Sequence, residues 1–254
     1  MALAVEASGI GRAYGPVVAL EGVELSVADG AFVSLLGPSG CGKSTLLRLI
    51  AGLDRPSAGR LAVHGQVADA PPPGLGFVFQ RDVLLDWRTV LDNVLLAAEF
   101  EGKRKRDHRD RALALLERFG LAQHAQRHPW QLSGGQRQRA AICRALLMEP
   151  SLLLMDEPFG ALDAMTRDDL NVELARLWQA SRRTVVFVTH SIAEAVFLSD
   201  QVAVMSRGPG RVVQVFEIDL PRPRALAVRD TPEFAAQVAA IRHVFTELGV
   251  MQAA

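Results

Sequence analysis

Short apolar runs of strand length fill the first third of the chain, at 3–7, 17–27, 31–36, 61–63 and 76–79, separated by turn-forming residues. One helix interrupts them, opening at Lys43 and stopping near Gly52. From about Asp82 to Pro150 the pattern turns to a helical period, with Leu113, Leu116 and Phe119 on one face, and the whole block is expected to be helical. Strands then alternate with helices: a strand at 151–155, a helix after Asp163, a strand at 184–189, a helix at 191–198 and a strand at 201–205. Such alternation folds as a mainly parallel sheet with helices on its faces, so the fold class is α/β with the middle block inserted as a helical subdomain. The tail begins at Leu220-Pro221-Arg222-Pro223-Arg224. Thr231 can cap a final helix and Pro232 suits its first turn. Phe234, Val238, Ile241, Phe245 and Leu248 share one face of it and are expected to pack on the core.

Hydrophobic residues make up 49% of the 254, enough for a sizeable core. Lys+Arg and Asp+Glu are both 28. That balance lacks the basic footprint of a nucleic-acid binder, so no nucleic-acid partner is expected. Two cysteines, Cys41 and Cys143, are too few for a disulfide framework and suit a reducing compartment. The first ten residues hold acidic Glu6 and no basic stretch before an apolar run, so no signal peptide is expected. No run reaches the roughly 18 to 20 apolar residues of a membrane span, and any membrane role must come from other chains. The basic run Lys103-Arg104-Lys105-Arg106 reads as a solvated helix end.

The chemistry gathers at strand ends. Gly37-Pro38-Ser39-Gly40-Cys41-Gly42-Lys43-Ser44 follows an apolar strand and opens a helix, with Thr45 next. Glycines let successive backbone N–H groups turn inward on phosphate oxygens, and the helix N-terminus adds positive potential. Lys43 would reach the β- and γ-phosphates and Ser44 would ligate Mg2+. The run 152–155 ends in Asp156 and Glu157, at the strand edge where open α/β sheets bind ligands. Asp156 suits the metal and Glu157 the attacking water. Leu132-Ser133-Gly134-Gly135-Gln136 is a second anion-type feature: Ser133 can cap a helix whose N-terminal backbone the glycines leave bare. Cys41, beside Lys43 and a helix N-terminus, is expected to be acidic and reactive, and Cys143, in an apolar helix, inert.

That pentapeptide resembles the signature of ABC-transporter ATPases, and the resemblance extends over nearly the whole chain. Gln80, at the end of the strand at 76–79, resembles their Q-loop glutamine. Gly160 to Asp163 resembles the D-loop, and His190 the switch histidine. Tyr14, the chain's one tyrosine, resembles the aromatic that stacks on adenine. The resemblance implies a P-loop NTPase core with a mainly parallel sheet, an N-terminal antiparallel β part and an inserted helical subdomain. Residues 1–222 then form the ATPase domain, with the subdomain at about 82–150, and 223–254 a tail helix packed on the core.

The resemblance also implies ATP and Mg2+ as ligands, with Ser44, Gln80 and Asp156 serving the metal. Lys43 neutralises phosphate charge, Glu157 activates water and His190 senses the γ-phosphate. Ser133 and Gly135 act across a homodimer whose interface includes Asp163. Further partners would be two transmembrane permease subunits and a periplasmic or lipid-anchored solute-binding protein, which places the chain peripherally on the cytoplasmic face of the inner membrane. The segment 78–94 and the tail resemble the nitrate/sulfonate/taurine importers; Asp86 and Thr189-His190-Ser191-Ile192 lean toward the branch for pyrimidine-type thiamine precursors. The alternatives are a non-transport ABC ATPase and the soluble subunit of an exporter. Leu84, Leu85 and Trp87 are expected to line a groove for a short helix of the membrane partner, against the plainer reading that they pack the subdomain's own core.

Overall fold

The structure is a computed structural model that describes residues 2–160 and 162–251. Its elements run β1 (Leu3–Tyr14), β2 (Val17–Ala28), β3 (Phe32–Leu36), α1 (Lys43–Ile50), β4 (Ala58–Val63), β5 (Gln66–Val67) and β6 (Leu75–Val78). The helical block follows as α2 (Val90–Phe100), α3 (Lys105–Arg118) and α4 (Gly134–Leu146). The chain then continues through β7 (Leu152–Asp156), α5 (Ala164–Ser181), β8 (Thr184–Thr189), α6 (Ile192–Leu198), β9 (Gln201–Met205), β10 (Val212–Glu217) and α7 (Pro232–Glu247).

Two sheets form. The smaller is antiparallel, in the order β2-β1-β4-β5. The larger has the order β10-β9-β3-β8-β7-β6, and every pairing from β9 to β6 is parallel. β3, β7 and β8 are buried at every position, which a parallel strand requires when both of its faces are covered. On one face Val33, Leu35, Val186 and Val188 join α1 and the antiparallel sheet in a single core. On the other, Phe32 and Phe187 meet the helical block, α5, α6 and α7. The parallel order brings the carboxyl ends of β3, β8, β7 and β6 side by side, and the loops leaving those ends share one edge.

Two expectations change. The block from Asp82 is not helical from its start: 82–89 is irregular, and α2 begins at Val90, capped by Thr89, whose hydroxyl accepts from the Asp92 amide. Buried Asn93 explains this. Its Oδ1 accepts from Leu85 N at 2.7 Å, and its Nδ2 donates to the carbonyls of Leu85, Arg88 and Thr89. One amide thus satisfies the backbone of a looped segment that a helix would otherwise have satisfied internally. The strand inventory also lengthens, because β10 pairs antiparallel with β9 at the sheet edge; its side chains are mostly exposed, which left no periodic signal.

The tail carries a buried cation. Arg224 donates to the carbonyls of Val196, Phe197 and Ser199, which α6 leaves open at its end, and to Ile218 and Leu220. Burial lowers its pKa to about 10. In α7, Thr231 caps the helix, and Phe234, Ile241 and Phe245 are buried while Val238 and Leu248 pack at the margin.

Candidate nucleotide site

β3 delivers the chain to Gly37, and the loop then curls until α1 starts at Lys43. Gly42 has φ +99°, and a Cβ there would stand 2.6 Å from Leu20 Cδ2 and 2.9 Å from the Ala19 carbonyl, so only glycine fits. Gly40, at φ +77°, has nothing within 4 Å of its missing Cβ and leaves the outer rim of the loop open. The Lys43 side chain turns into the hollow, where Nζ donates to the carbonyls of Gly37 at 2.8 Å and Pro38 at 2.9 Å.

Ser44 Oγ donates to Asp156 Oδ1 at 2.9 Å, joining the start of α1 to the end of β7. Burial raises the Asp156 pKa, against the Ser44 hydrogen bond that lowers it. The next residue, Glu157, stands at φ +45°, a region costly for a side chain with a Cβ. Its amide donates to the Val188 carbonyl, which holds that turn in place. Glu157 Oε2 lies 3.4 Å from Gln80 Nε2 and 3.7 Å from His190 Nδ1. Thus Lys43, Ser44, Gln80, Asp156, Glu157 and His190, drawn from four strand ends, converge on one edge.

A nucleotide with Mg2+ fits this edge on the chemistry of its donors. A hydroxyl, a carboxylate and an amide oxygen form the hard oxygen set that Mg2+ prefers, a set that characteristically includes substrate phosphates. The open rim at Gly40 and the ammonium in the hollow supply the anion side.

The signature residues stand apart. Ser133 Oγ accepts from the Gln136 amide and Gln136 Oε1 accepts from the Ser133 amide, a capping box that starts α4. A Cβ on Gly135 would fall 2.6 Å from Leu162 Cδ2, so the signature packs beside the segment leading to Asp163. Asp163 caps α5 by accepting from the Thr166 amide, a bond that lowers its pKa. No hydrogen bond among the described residues joins Ser133–Gln136 to the phosphate loop. Tyr14 ends β1 in the hairpin whose Leu20 packs on Gly42. Its hydroxyl donates to Asp54 at 2.6 Å, and the Arg12 guanidinium sits 4.4 Å from its ring centroid.

One expectation is overturned. Cys41 is 1% exposed, and burial raises its pKa more than Lys43, 3.9 Å from the sulfur, lowers it. The thiol faces inward with its pKa raised, opposite in direction to the acidic thiol the sequence suggested. Cys143 is buried and its pKa raised by the same cause.

Several residues were not foreseen. Arg137 of α4 pairs with Asp82 at 3.0 Å, Gln138 donates to the Phe79 carbonyl, and Arg144 donates to the carbonyls of Asp82 and Val83. The signature helix therefore grips the segment on both sides of Gln80. Behind His190, Thr189 Oγ1 donates to buried Glu194 at 2.6 Å, and Arg167 of α5 approaches the same carboxylate. In sequence these are ordinary polar residues, most of them on helices. Only the partner's location distinguishes them.

With a phosphate-binding loop, a metal-type carboxylate, a water-type carboxylate and a detached signature, fold and site define a nucleotide-hydrolysing cassette. Residues 20–160 match the ABC transporter family. The taurine import ATP-binding protein TauB of Rhizobium johnstonii is 45% identical over 244 residues, 92% of this chain and 93% of its own. An uncharacterised ABC transporter ATP-binding protein of Methanocaldococcus jannaschii is 47% identical over 208 residues, 82% of this chain and 78% of its own. Among solved structures, the dimeric ABC transporter cassette MJ0796 superposes with a TM-score of 0.78 at 33% identity, covering 85% of this chain and all of that one. A post-hydrolysis dimer of that cassette, bound to ADP and Pi, gives 0.76. This chain belongs to the ABC transporter family and is an ABC ATPase, the ATP-binding subunit of such a system.

Proposed function

We propose that the chain works as a homodimer to energise a solute importer through two separate transmembrane permease subunits, fed by a solute-binding protein outside the membrane. The observation that carries this reading is an apolar groove of about 440 Å3 beside Gln80, lined by Phe77, Phe79, Val83, Leu85, Phe100 and Met148 among others. Exposed apolar surface of this kind marks a partner site. Its floor continues into the segment that Arg137, Gln138 and Arg144 tie to the signature helix. A partner seated there is mechanically joined to both Gln80 and Ser133. The name of the taurine-import relative favours import, and a sulfonate-type solute over a pyrimidine-type one. Among the described residues no helix is long and apolar enough to cross a membrane. On this reading the chain works peripherally, on the cytoplasmic face of permeases supplied by others.

For hydrolysis, Lys43 and the loop amides neutralise the phosphates. Ser44, Asp156 and Gln80 would hold Mg2+, which supplies charge neutralisation at phosphate oxygens. Glu157 takes a proton from the attacking water, and His190, beside it, holds the γ-phosphate end. Ser133 and Gly135 act on the nucleotide of the second copy, with Asp163 between the two. Residues 1–222 make up this ATPase domain, with 82–150 its inserted subdomain and 223–254 an appended tail. Reconstitution tests the reading: detergent-solubilised native membranes should yield the chain together with membrane-spanning chains. In proteoliposomes, taurine with its binding protein should raise the ATPase rate. Recovery with no membrane-spanning chain refutes it.

A further inference from the structure

The phosphate loop has two supports that its own sequence motif does not contain. The first is the 206–211 turn between β9 and β10. Gly210 is buried against the loop: a Cβ there would stand 1.9 Å from the Cys41 carbonyl. The same glycine exchanges backbone hydrogen bonds with Ala19 and Glu21, so the turn is fixed to β2 as well. The second support is the end of the tail. After α7, Gly249 adopts φ +63° and the Val250 amide donates back to the Phe245 carbonyl, a glycine-dependent helix stop that reverses the chain. That reversal carries Val250 and Met251 to a cavity of about 320 Å3 whose other walls include Pro38, Ser39, His190 and Phe245.

One bond joins the two supports. Arg207, in the turn that carries Gly210, donates from its guanidinium to the Gly249 carbonyl at 2.6 Å. Gly249 is also the residue that aims the tail. The turn thus backs the loop on the Cys41 side, the tail faces Pro38 and Ser39 across the cavity, and Arg207 ties turn and tail together in a clasp.

From this we infer that Arg207 and the tail end are positioning elements for nucleotide binding, holding the phosphate loop in its receptive curl. The physical ground is preorganisation: a loop that must find its shape on binding loses affinity by the cost of ordering. A charge-assisted bond to a carbonyl is among the stronger single latches available for that purpose. Opening the clasp should therefore raise KM for ATP while kcat, set by Glu157 and its neighbours, moves little.

The inference rests on the reading of this loop as the ATP site, and the test separates the two. Binding of N-methylanthraniloyl-ATP is followed by fluorescence for the wild type, Arg207→Ala, Arg207→Lys and a chain ending at Leu248, alongside ATPase KM and kcat and thermal melting without nucleotide. The expected result is a loss of affinity and a rise in KM of roughly fivefold in Arg207→Ala and in the truncated chain, with kcat within about twofold and recovery in Arg207→Lys. A wild type that does not bind the probe defeats the nucleotide reading itself. A binding wild type with variants of equal affinity overturns only the clasp. So does a melting-temperature drop with affinity unchanged, or an affinity loss that Lys does not restore.

Discussion

The nucleotide edge and the groove lie on either side of Gln80, yet they are built in opposite ways. At the edge, Lys43 is 5% exposed and its ammonium, like the Ser44 hydroxyl, has a partner within the fold. At the groove, Phe100 is 82% and Val83 55% exposed, and none of the described residues covers them. A polar site must be shaped beforehand, because a misdirected buried charge is costly. An apolar surface needs only to be bare, since its interaction is non-directional and scales with the area covered. The difference fits what the proposed function asks of each region: a small anion of fixed geometry on one side, an apolar element of another protein on the other.

The two also differed in how readily the sequence revealed them. The edge was legible because its residues end short apolar strands or open the helix after one, and the parallel order of those strands forces their ends together. The groove was only half visible. Leu85 lines it, but Leu84 packs against the core, and Trp87, 74% exposed, stands outside its lining. Phe100 was not anticipated at all. What hid the arrangement is the Asn93 clamp, a choice of partner made by one amide that leaves no periodic trace. The grip of Arg137, Gln138 and Arg144 was hidden for the same reason. The error over Cys41 was of another kind: neighbours in sequence suggested a positive potential, while depth in the fold decided the balance.

The largest expected effect comes from breaking the edge at Glu157, whose backbone is strained and whose side chain accepts from Gln80. Glu157→Gln keeps the shape and its contact with Gln80 but removes the proton acceptor. Turnover should fall by about 10^3-fold with ATP affinity retained. Size-exclusion chromatography with Mg-ATP should then show a trapped dimer. A variant that stays active, or stays monomeric with ATP, breaks the assignment of Glu157.

A charge in the groove tests the other side. Phe100→Asp removes an exposed ring at the end of α2, so circular dichroism and the ATPase rate of the isolated chain should be unchanged. Affinity for the membrane subunits in a pull-down should drop at least about tenfold, because a carboxylate must be desolvated there. Trp87→Ala, outside the groove lining, should cost less than Phe100→Asp. Loss of ATPase activity in Phe100→Asp alone would erase the separation between the two regions, and a larger effect at Trp87 would move the docking surface.

The smallest effect sharpens the claim that the edge is polarised in advance, and it is read without nucleotide. Asp156 has its pKa raised by burial above the ordinary 3.8. Between that value and the raised one, the native state binds more protons than the unfolded chain. The stability this group contributes is therefore complete below 3.8 and is lost as pH rises through the raised value. At neutral pH its carboxylate is a net burden on the nucleotide-free fold, a cost that the proposed metal role would explain. Asp156→Asn keeps an oxygen that can accept from Ser44 and removes the charge. Its melting temperature without nucleotide should lie above that of the wild type at neutral pH. Followed from about pH 8 down to about pH 4, the two curves should converge as the wild-type carboxyl takes up its proton. A variant that melts lower at neutral pH, or a difference that widens toward acid, would mean that the carboxylate stabilises the empty site. The edge would then be a structural ion-pair network, with no electrostatic cost held in reserve for a cation.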